Sequence, residues 1–407
     1  MKDRARRAIE ECLLIAGMTE EPGRITRRFL TPPFHDVHAH LRARMEAMGM
    51  SVRVDAGGNL HGIWQPQGAS GKRLIVGSHI DTVPDAGAYD GVLGVMLALE
   101  LVSMAQEGAP GLAFEVIAFS EEEGVRFGVP FIGSRAVAGR FDTSLLALKD
   151  SSGKTLETAI REFGLDPGHL NDAAVDENVL GFFEIHIEQG PVLEAEKLSV
   201  AAVTGIVGQT RQSLEFAGQA NHAGTTPMHL RRDALAGAAE WITAVESQTR
   251  QSEGLVATVG KIVATPNVGN VIAGTARMTL DVRHPHDAMR LGAVTELEET
   301  ANKIAERRGL ALQFTRLMDQ PAVPMDERLT AYLEESIEAS GFPLKRMPSG
   351  AGHDAMVMAG RMPAALLFLR SPGGISHNPA ESVREEDVEA ALLAGRRFLE
   401  RLTAEVG

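Results

Sequence analysis

Four short segments carry the residue types that can do chemistry. The first, GSHIDTVPDAGAYDG at 77–91, sets His79, Asp81, Asp85 and Asp90 close together. A histidine can ligate a metal through one ring nitrogen while a carboxylate orients the other. Asp90 stands before a predicted helix, where a carboxylate can bridge two ions. It can equally be an N-cap there, with His79 a hydrogen-bonded loop residue. The second segment, FSEEEGVRFG at 119–128, places Glu121, Glu122 and Glu123 directly after buried apolar residues. Adjacent carboxylates repel, so stacking three at a strand end is costly without a cation. One can ligate while its neighbour acts as general base. A surface acidic run is the plain alternative.

The third segment is FFEIHIEQGPVLE at 182–194. Period-2 alternation puts Glu184, His186 and Glu188 on one strand face and Phe183, Ile185 and Ile187 on the other. A metal would give that polar face a partner; a solvated edge strand would also account for it. The fourth is GGISHNPAE at 373–381, with His377 in a Gly-rich loop. A lone loop histidine is more often structural than ligating, and His377 gains force only from the other three segments. Together they match the donor count for two divalent ions, ~3.5–4 Å apart in a co-catalytic site. Mixed nitrogen and oxygen donors suit Zn²⁺, Mn²⁺ or Co²⁺ without choosing among them.

These residues need elements to hold them. Residues 73–78 (RLIVGS) and 114–120 (FEVIAFS) read as buried strands around a helix at 91–106, a β–α–β unit that implies a largely parallel sheet. Residues 182–187 and 364–369 add strand candidates, and residues 384–402 a closing helix. All four segments lie at or beyond strand ends, where open α/β sheets form sites. From residue 205 the character changes. Strand 212–216, loop 218–228, helix 231–247, strands 255–263 and 276–283, helix 287–308 and strand 310–316 give a ferredoxin-like β-α-β-β-α-β order. The expected architecture is α/β: a catalytic domain of residues 1–204 and 322–407 with a mostly parallel mixed sheet flanked by helices. An α+β lid or dimerisation domain is inserted at 205–321.

Composition narrows the function classes. At 407 residues the chain exceeds one ordinary core. With 44% hydrophobic and 23% charged residues it reads as globular. A net charge of −14 without a basic run argues against nucleic-acid binding. No apolar run approaches the ~20 residues that cross a bilayer. The basic, apolar N-terminus is interrupted by Glu10 and Glu11 and reads as an amphipathic helix rather than a leader. The single cysteine, Cys12, excludes an intrachain disulfide, suits a reducing cytoplasm and leaves His and carboxylates as metal donors.

Taken in order, GSHIDTV, Asp90-Gly91, EEGVRF, EIHIEQGPVLE, GQTR, NHAGTTPM, NVIAG, DVRH, SGAGHDAM and GGISHNPAE resemble the dinuclear-metal aminoacylase/carboxypeptidase superfamily. They are most similar to its amidase branch of allantoate amidohydrolases, N-carbamoyl-L-amino-acid hydrolases and β-ureidopropionases. The resemblance spans residues 77–381. It implies His79, Asp90 and His186 around one ion and Asp90, Glu123 and His377 around the other, with Asp90 bridging and Glu122 as general base. Relatives commonly have Asp or Asn at the place of Glu121, which sets that register. Peptidase members usually carry a carboxylate in place of His186, so the histidine favours an amidase. The branch further implies substrate contacts from Gln209, His222, Asn270, Arg283 and Gly352. His222 would stabilise the oxyanion and reach the partner subunit's site in a homodimer. Plain alternatives are a strand-end surface charge for Arg283 and an ordinary turn for 221–226. The implied reaction is hydrolysis of a ureido or carbamoyl C–N bond. Allantoate is the nearest substrate by phrase, N-carbamoyl-L-amino acids or β-ureidopropionate the alternative. A peptidase of the same superfamily, or a metal-free binding protein on its scaffold, are further alternatives.

Overall fold

The computed structural model describes residues 1–67, 71–108 and 111–406. The chain divides into two compact units, Met1–Thr204 with Pro324–Gly407, and Gly205–Val323. The second junction therefore lies two residues beyond Pro321. No helix among the described residues is long and apolar enough to cross a membrane.

In the first unit the sheet runs Ser51–Val54, Leu60–Trp64, Ala113–Phe119, Arg73–His79, Val179–Ile187, Ala364–Leu369, Val200–Ile206. Its centre is parallel: Arg73–His79 pairs in parallel with Ala113–Phe119 and with Val179–Ile187, which pairs in parallel with Ala364–Leu369. The flanking pairings of Leu60–Trp64 with Ala113–Phe119 and of Ala364–Leu369 with Val200–Ile206 are antiparallel. The sheet is thus mixed, and parallel where it carries the four segments. The central strands are near-continuous Val, Ile, Leu and Phe because both faces are covered. The helix Val92–Glu107 is apolar almost all round and buried accordingly. It shares a core with Lys2–Ala16, Pro32–Ala47, Glu327–Ala339 and Glu385–Val406, against Leu74, Val76, Phe183, Ile185, Ile187, Ala365 and Leu367. In Lys2–Ala16 the buried Ala5, Ala8, Cys12 and Ile15 repeat at helical spacing.

The opposite sheet face holds Phe119, Phe182 and Phe368 beneath the short helices Ile132–Val137 and Asp354–Met358. Glu184 and His186 lie on that face. The strand Val179–Ile187 is interior, buried from Gly181 onward, so the solvated-edge alternative does not hold.

The second unit is a four-stranded antiparallel sheet ordered Ala311–Gln320, Gly208–Ala217, Thr275–His284, Val256–Thr265. The helices Ala234–Thr249 and Asp287–Arg308 pack on one face around Leu214, Phe216, Trp241, Met278, Leu280 and Leu297. Each large side chain buried there contributes about 1.5–3 kcal/mol. A separate two-stranded ladder joins Asn221–His222, within the stretch 218–228 expected to be a loop, to Val271–Ile272.

Candidate active site

The four segments meet at the C-terminal ends of the four parallel strands. His79 is the last residue of its strand and pairs with Phe119, so the run 121–123 begins two residues past His79's neighbour. His186 lies one strand over, opposite Phe368, and His377 follows the outermost parallel strand. Three groups of donor atoms converge to within 4.8 Å: His79, Asp90 and His186; His79, Glu122 and Glu123; Asp90, Glu123 and His377.

Hydrogen bonds set the histidine tautomers. His79 Nδ1 lies 3.1 Å from the Asp81 carbonyl oxygen, and His186 Nδ1 lies 2.9 Å from that of Ile187. A carbonyl only accepts, so each Nδ1 donates a hydrogen bond and each Nε2 is the nitrogen turned toward the cluster, where it could ligate a metal. The two Nε2 atoms face each other at 3.3 Å. Asp90 Oδ1 lies 3.5 Å from His79 Nε2 and 3.2 Å from His186 Nε2. It is buried without a hydrogen-bond donor among the described residues. Asp90 Oδ2 and Glu123 Oε1 each lie 3.2 Å from His377 Nε2.

Electrostatics point the same way. Burial alone would push the His79 ring down, but Asp81, Asp90 and Glu122 hold it well above the usual imidazole value. Asp90 raises His186 against its burial, and Asp90 and Glu123 push His377 up to about 10. Burial opposes ionisation of Asp90, yet His186, His377 and His79 keep it well below the ordinary carboxylate range. Burial drives the Glu122 carboxyl well up; His79 opposes, while Glu123 and Asp354 add to the rise. The cluster demands positive charge at its centre. Opposed imidazole nitrogens, an orphaned carboxylate oxygen and hard oxygen donors fit divalent ions there.

The Asp81 carbonyl, rather than its carboxylate, makes the shorter contact to His79; Oδ1 stands at 3.5 Å. The carboxylate accepts the backbone N–H groups of Glu122 and Glu123, at 3.0 and 3.1 Å, and so fixes the two acids that matter. Nor does Asp90 cap the following helix: Gly91 is the N-cap, with no side-chain cap bond. Glu184 accepts from Ser78 Oγ and the Ala355 N–H, both at 2.8 Å. Glu188 accepts from the N–H groups of Val192 and Leu193. Gly352 precedes His353, whose ring packs edge-on against His186 at 4.4 Å. A Cβ at Gly352 would meet Phe131 at 2.7 Å.

Residues 75–403 match the description of peptidase family M20/M25/M40. The chain belongs to that family. Within M20/M25/M40, it is 38% identical to the allantoate deiminase of Arabidopsis thaliana over 92% of this chain and 78% of that protein. It is 37% identical to the N-carbamoyl-L-amino acid amidohydrolase of Geobacillus stearothermophilus, with 90% of each chain covered. Among solved structures, an amidase of the hydantoinase/carbamoylase family from Burkholderia multivorans matches at a TM-score of 0.91 and 32% identity, over 98% of this chain and 97% of that one.

The remaining candidates lie in the second unit and fall into two pairs. Gln209 and Arg283 are cross-strand partners. Both bind Asp281: Arg283 donates through Nε and Nη2 at 2.9 and 3.1 Å, and Gln209 through Nε2 at 2.6 Å. Burial pushes Asp281 up, but Arg283, Arg211 and Gln209 outweigh it and hold the carboxyl low. Asp281 was not singled out from sequence; its signal was the same-face spacing of Asp281 and Arg283 in DVRH. The second pair is His222, which pairs with Val271, and Asn270 beside it, whose carbonyl accepts the Ala223 N–H. His222 Nδ1 accepts the Gly224 N–H at 3.1 Å, which leaves Nε2 as the N–H in the neutral ring.

Proposed function

We propose that this chain hydrolyses a ureido or carbamoyl C–N bond of a small carboxylate, with two divalent ions held by His79, Asp90, Glu123, His186 and His377. The observation that carries the reading is the convergence of these five side chains at four parallel strand ends, with Asp90 common to both outer groups. His79 and His186 would hold one ion with Asp90, and Glu123 and His377 the other with it. Zn²⁺, Mn²⁺ and Co²⁺ all suit the donors. Such ions lower the pKa of water and offset charge building on the scissile carbonyl oxygen.

Glu122, beside His79 and Glu123, is the general base. Its carboxylate takes a proton from the attacking water and returns it to the departing nitrogen. Glu123 is the ligand because it reaches His377 at 3.2 Å. His222 donates a hydrogen bond from Nε2–H to the developing oxyanion and keeps its proton. Arg283 meets the substrate carboxylate, with Gln209 and Asn270 as hydrogen-bonding neighbours and Gly352 supplying a backbone N–H. In this reading Asp281 orients the Arg283 guanidinium that recognises the substrate carboxylate. The inserted unit is a lid and dimerisation element. Exposed Met228 and Leu230, close to His222 in sequence, support an interface there.

The relatives act, by their names, on allantoate and on N-carbamoyl-L-amino acids, which share a ureido group and a carboxylate. Allantoate is the first choice and N-carbamoyl-L-amino acids the second. Ammonia release from allantoate and carbamoyl cleavage of N-carbamoyl-L-amino acids, measured beside dipeptide cleavage, test the reading. Turnover of a ureido substrate is expected. Dipeptide cleavage with no ureido turnover would make the chain a peptidase.

A further inference from the structure

Glu381 lies in the loop after the strand Ala364–Leu369, four residues past His377, and is 6% exposed. One carboxylate oxygen, Oε1, accepts two backbone N–H groups, from Tyr89 at 2.9 Å and Asp90 at 3.1 Å. The other accepts Ser376 Oγ at 3.3 Å. Ser376 Oγ also stands 3.0 Å from Asp90 Oδ2, to which Gln189 Nε2 donates at 2.9 Å. The contact is close: a Cβ at Gly87 would lie 2.3 Å from Glu381 Cβ. Burying a carboxylate is costly; two backbone N–H bonds offset it here, with the single Ser376 hydroxyl proton shared between Glu381 and Asp90. Glu381 is absent from the converging donor groups among the described residues, and its oxygens are occupied by these donors.

We propose that Glu381 is a positioning residue for the ion site formed by Asp90, Glu123 and His377. It ties the backbone of Asp90 to the loop that carries His377, so that two segments remote in sequence present their donors in one arrangement. Asp90 precedes the helix Val92–Glu107 and its N–H has no place in that helix's ladder, so Glu381 supplies the acceptor. Ser376 extends the tie to the Asp90 side chain, and Gln189 completes it from the neighbouring strand end. This inference rests on the two-ion reading above.

Two measurements on the full chain test it. In metal-free protein, amide hydrogen exchange of Glu381→Ala is expected to rise in peptides spanning 85–92 and 373–381 and to stay unchanged in 205–323. In Mn²⁺ titrations, at least one of the two binding steps is expected to weaken by roughly 10–100-fold, as removal of an outer hydrogen bond to a ligand does. Glu381→Gln keeps an acceptor for the two N–H groups and should restore both readouts most of the way. Should Glu381→Ala fail to fold, Gly87→Ala drives a methyl group into Glu381 and is expected to give the same two changes. Wild-type exchange at 85–92 together with wild-type Mn²⁺ affinity, in either variant, would overturn the proposal. So would a loss of protection spread evenly over the first unit that Glu381→Gln does not restore. If the unmodified chain binds no divalent ion, the two-ion reading itself fails; if it binds two and the variants match it, only the role of Glu381 does.

Discussion

Each imidazole that faces another at the site has its tautomer set by a carbonyl oxygen, from Asp81 for His79 and from Ile187 for His186. Glu122 and Glu123 have their backbones fixed by Asp81; both converge on His79, and Glu123 alone of the two also reaches Asp90 and His377, which is what supports the proposed base at 122 and ligand at 123. Glu122→Gln keeps the shape and removes the base. It is expected to leave two ions bound per chain and to lower kcat by about 10²–10⁴-fold, checked by elemental analysis beside steady-state rates. Near-normal turnover would remove Glu122 from the mechanism. The side chains legible from sequence were those whose type already announces chemistry: His79, Asp90, Glu123, His186 and His377. Asp281 and Glu381 were not legible as partners. For Glu381 the role comes from loop packing between residues far apart in the chain; for Asp281 the spacing to Arg283 is local, but the bonds from Gln209 and Arg211 come from cross-strand register.

At the scale of elements, alternation in FFEIHI and the apolar runs at 73–78 and 364–369 were enough to place the parallel strands, because strands buried on both faces are long, apolar and bounded by loops. The short antiparallel strands Ser51–Val54 and Leu60–Trp64 escaped notice. Ser51–Val54 is short and half-exposed, and Leu60–Trp64, though buried at Leu60–Gly62, has its apolar run broken by His61 and Gly62, so neither reads as a strand until they pair. Two predictions belong here. Gly91, at the start of the helix after Asp90, has φ 68°, and a Cβ there would lie 2.5 Å from the His79 ring. Gly91→Ala is expected to cost about 1–3 kcal/mol in denaturant unfolding and to weaken ion binding through His79. The helix Pro32–Ala47 carries His38, whose ring packs between Phe34 and Phe163 and whose Nε2 is buried without a hydrogen-bond partner among the described residues. Burial lowers its pKa from 6.5 to about 4. Between those values the unfolded chain binds more protons than the folded one, so the stabilisation is present above pH 6.5 and is lost as pH falls toward 4. The loss amounts to roughly 3 kcal/mol. His38→Leu should flatten that part of the stability–pH curve; an unchanged slope between pH 6.5 and 4 would show that His38 is not its source.

For the molecule as a whole, a parallel-centred sheet supplies four adjacent strand ends on one edge, which is what a site with a shared carboxylate requires. The second unit gathers Gln209 with Arg283 and His222 with Asn270 on a separate frame. A net charge of −14 fits the proposed hydrolysis of a small substrate, which needs positive charge only locally. The most direct test is ammonia release from allantoate, with N-carbamoyl-L-amino acids alongside, followed as chelated protein is reloaded with Mn²⁺ or Zn²⁺ and the ions bound per chain are counted. Turnover should be lost on chelation and return as occupancy approaches two per chain. Undiminished ureido cleavage in the metal-free protein, or two bound ions with cleavage of peptides alone, would contradict the account.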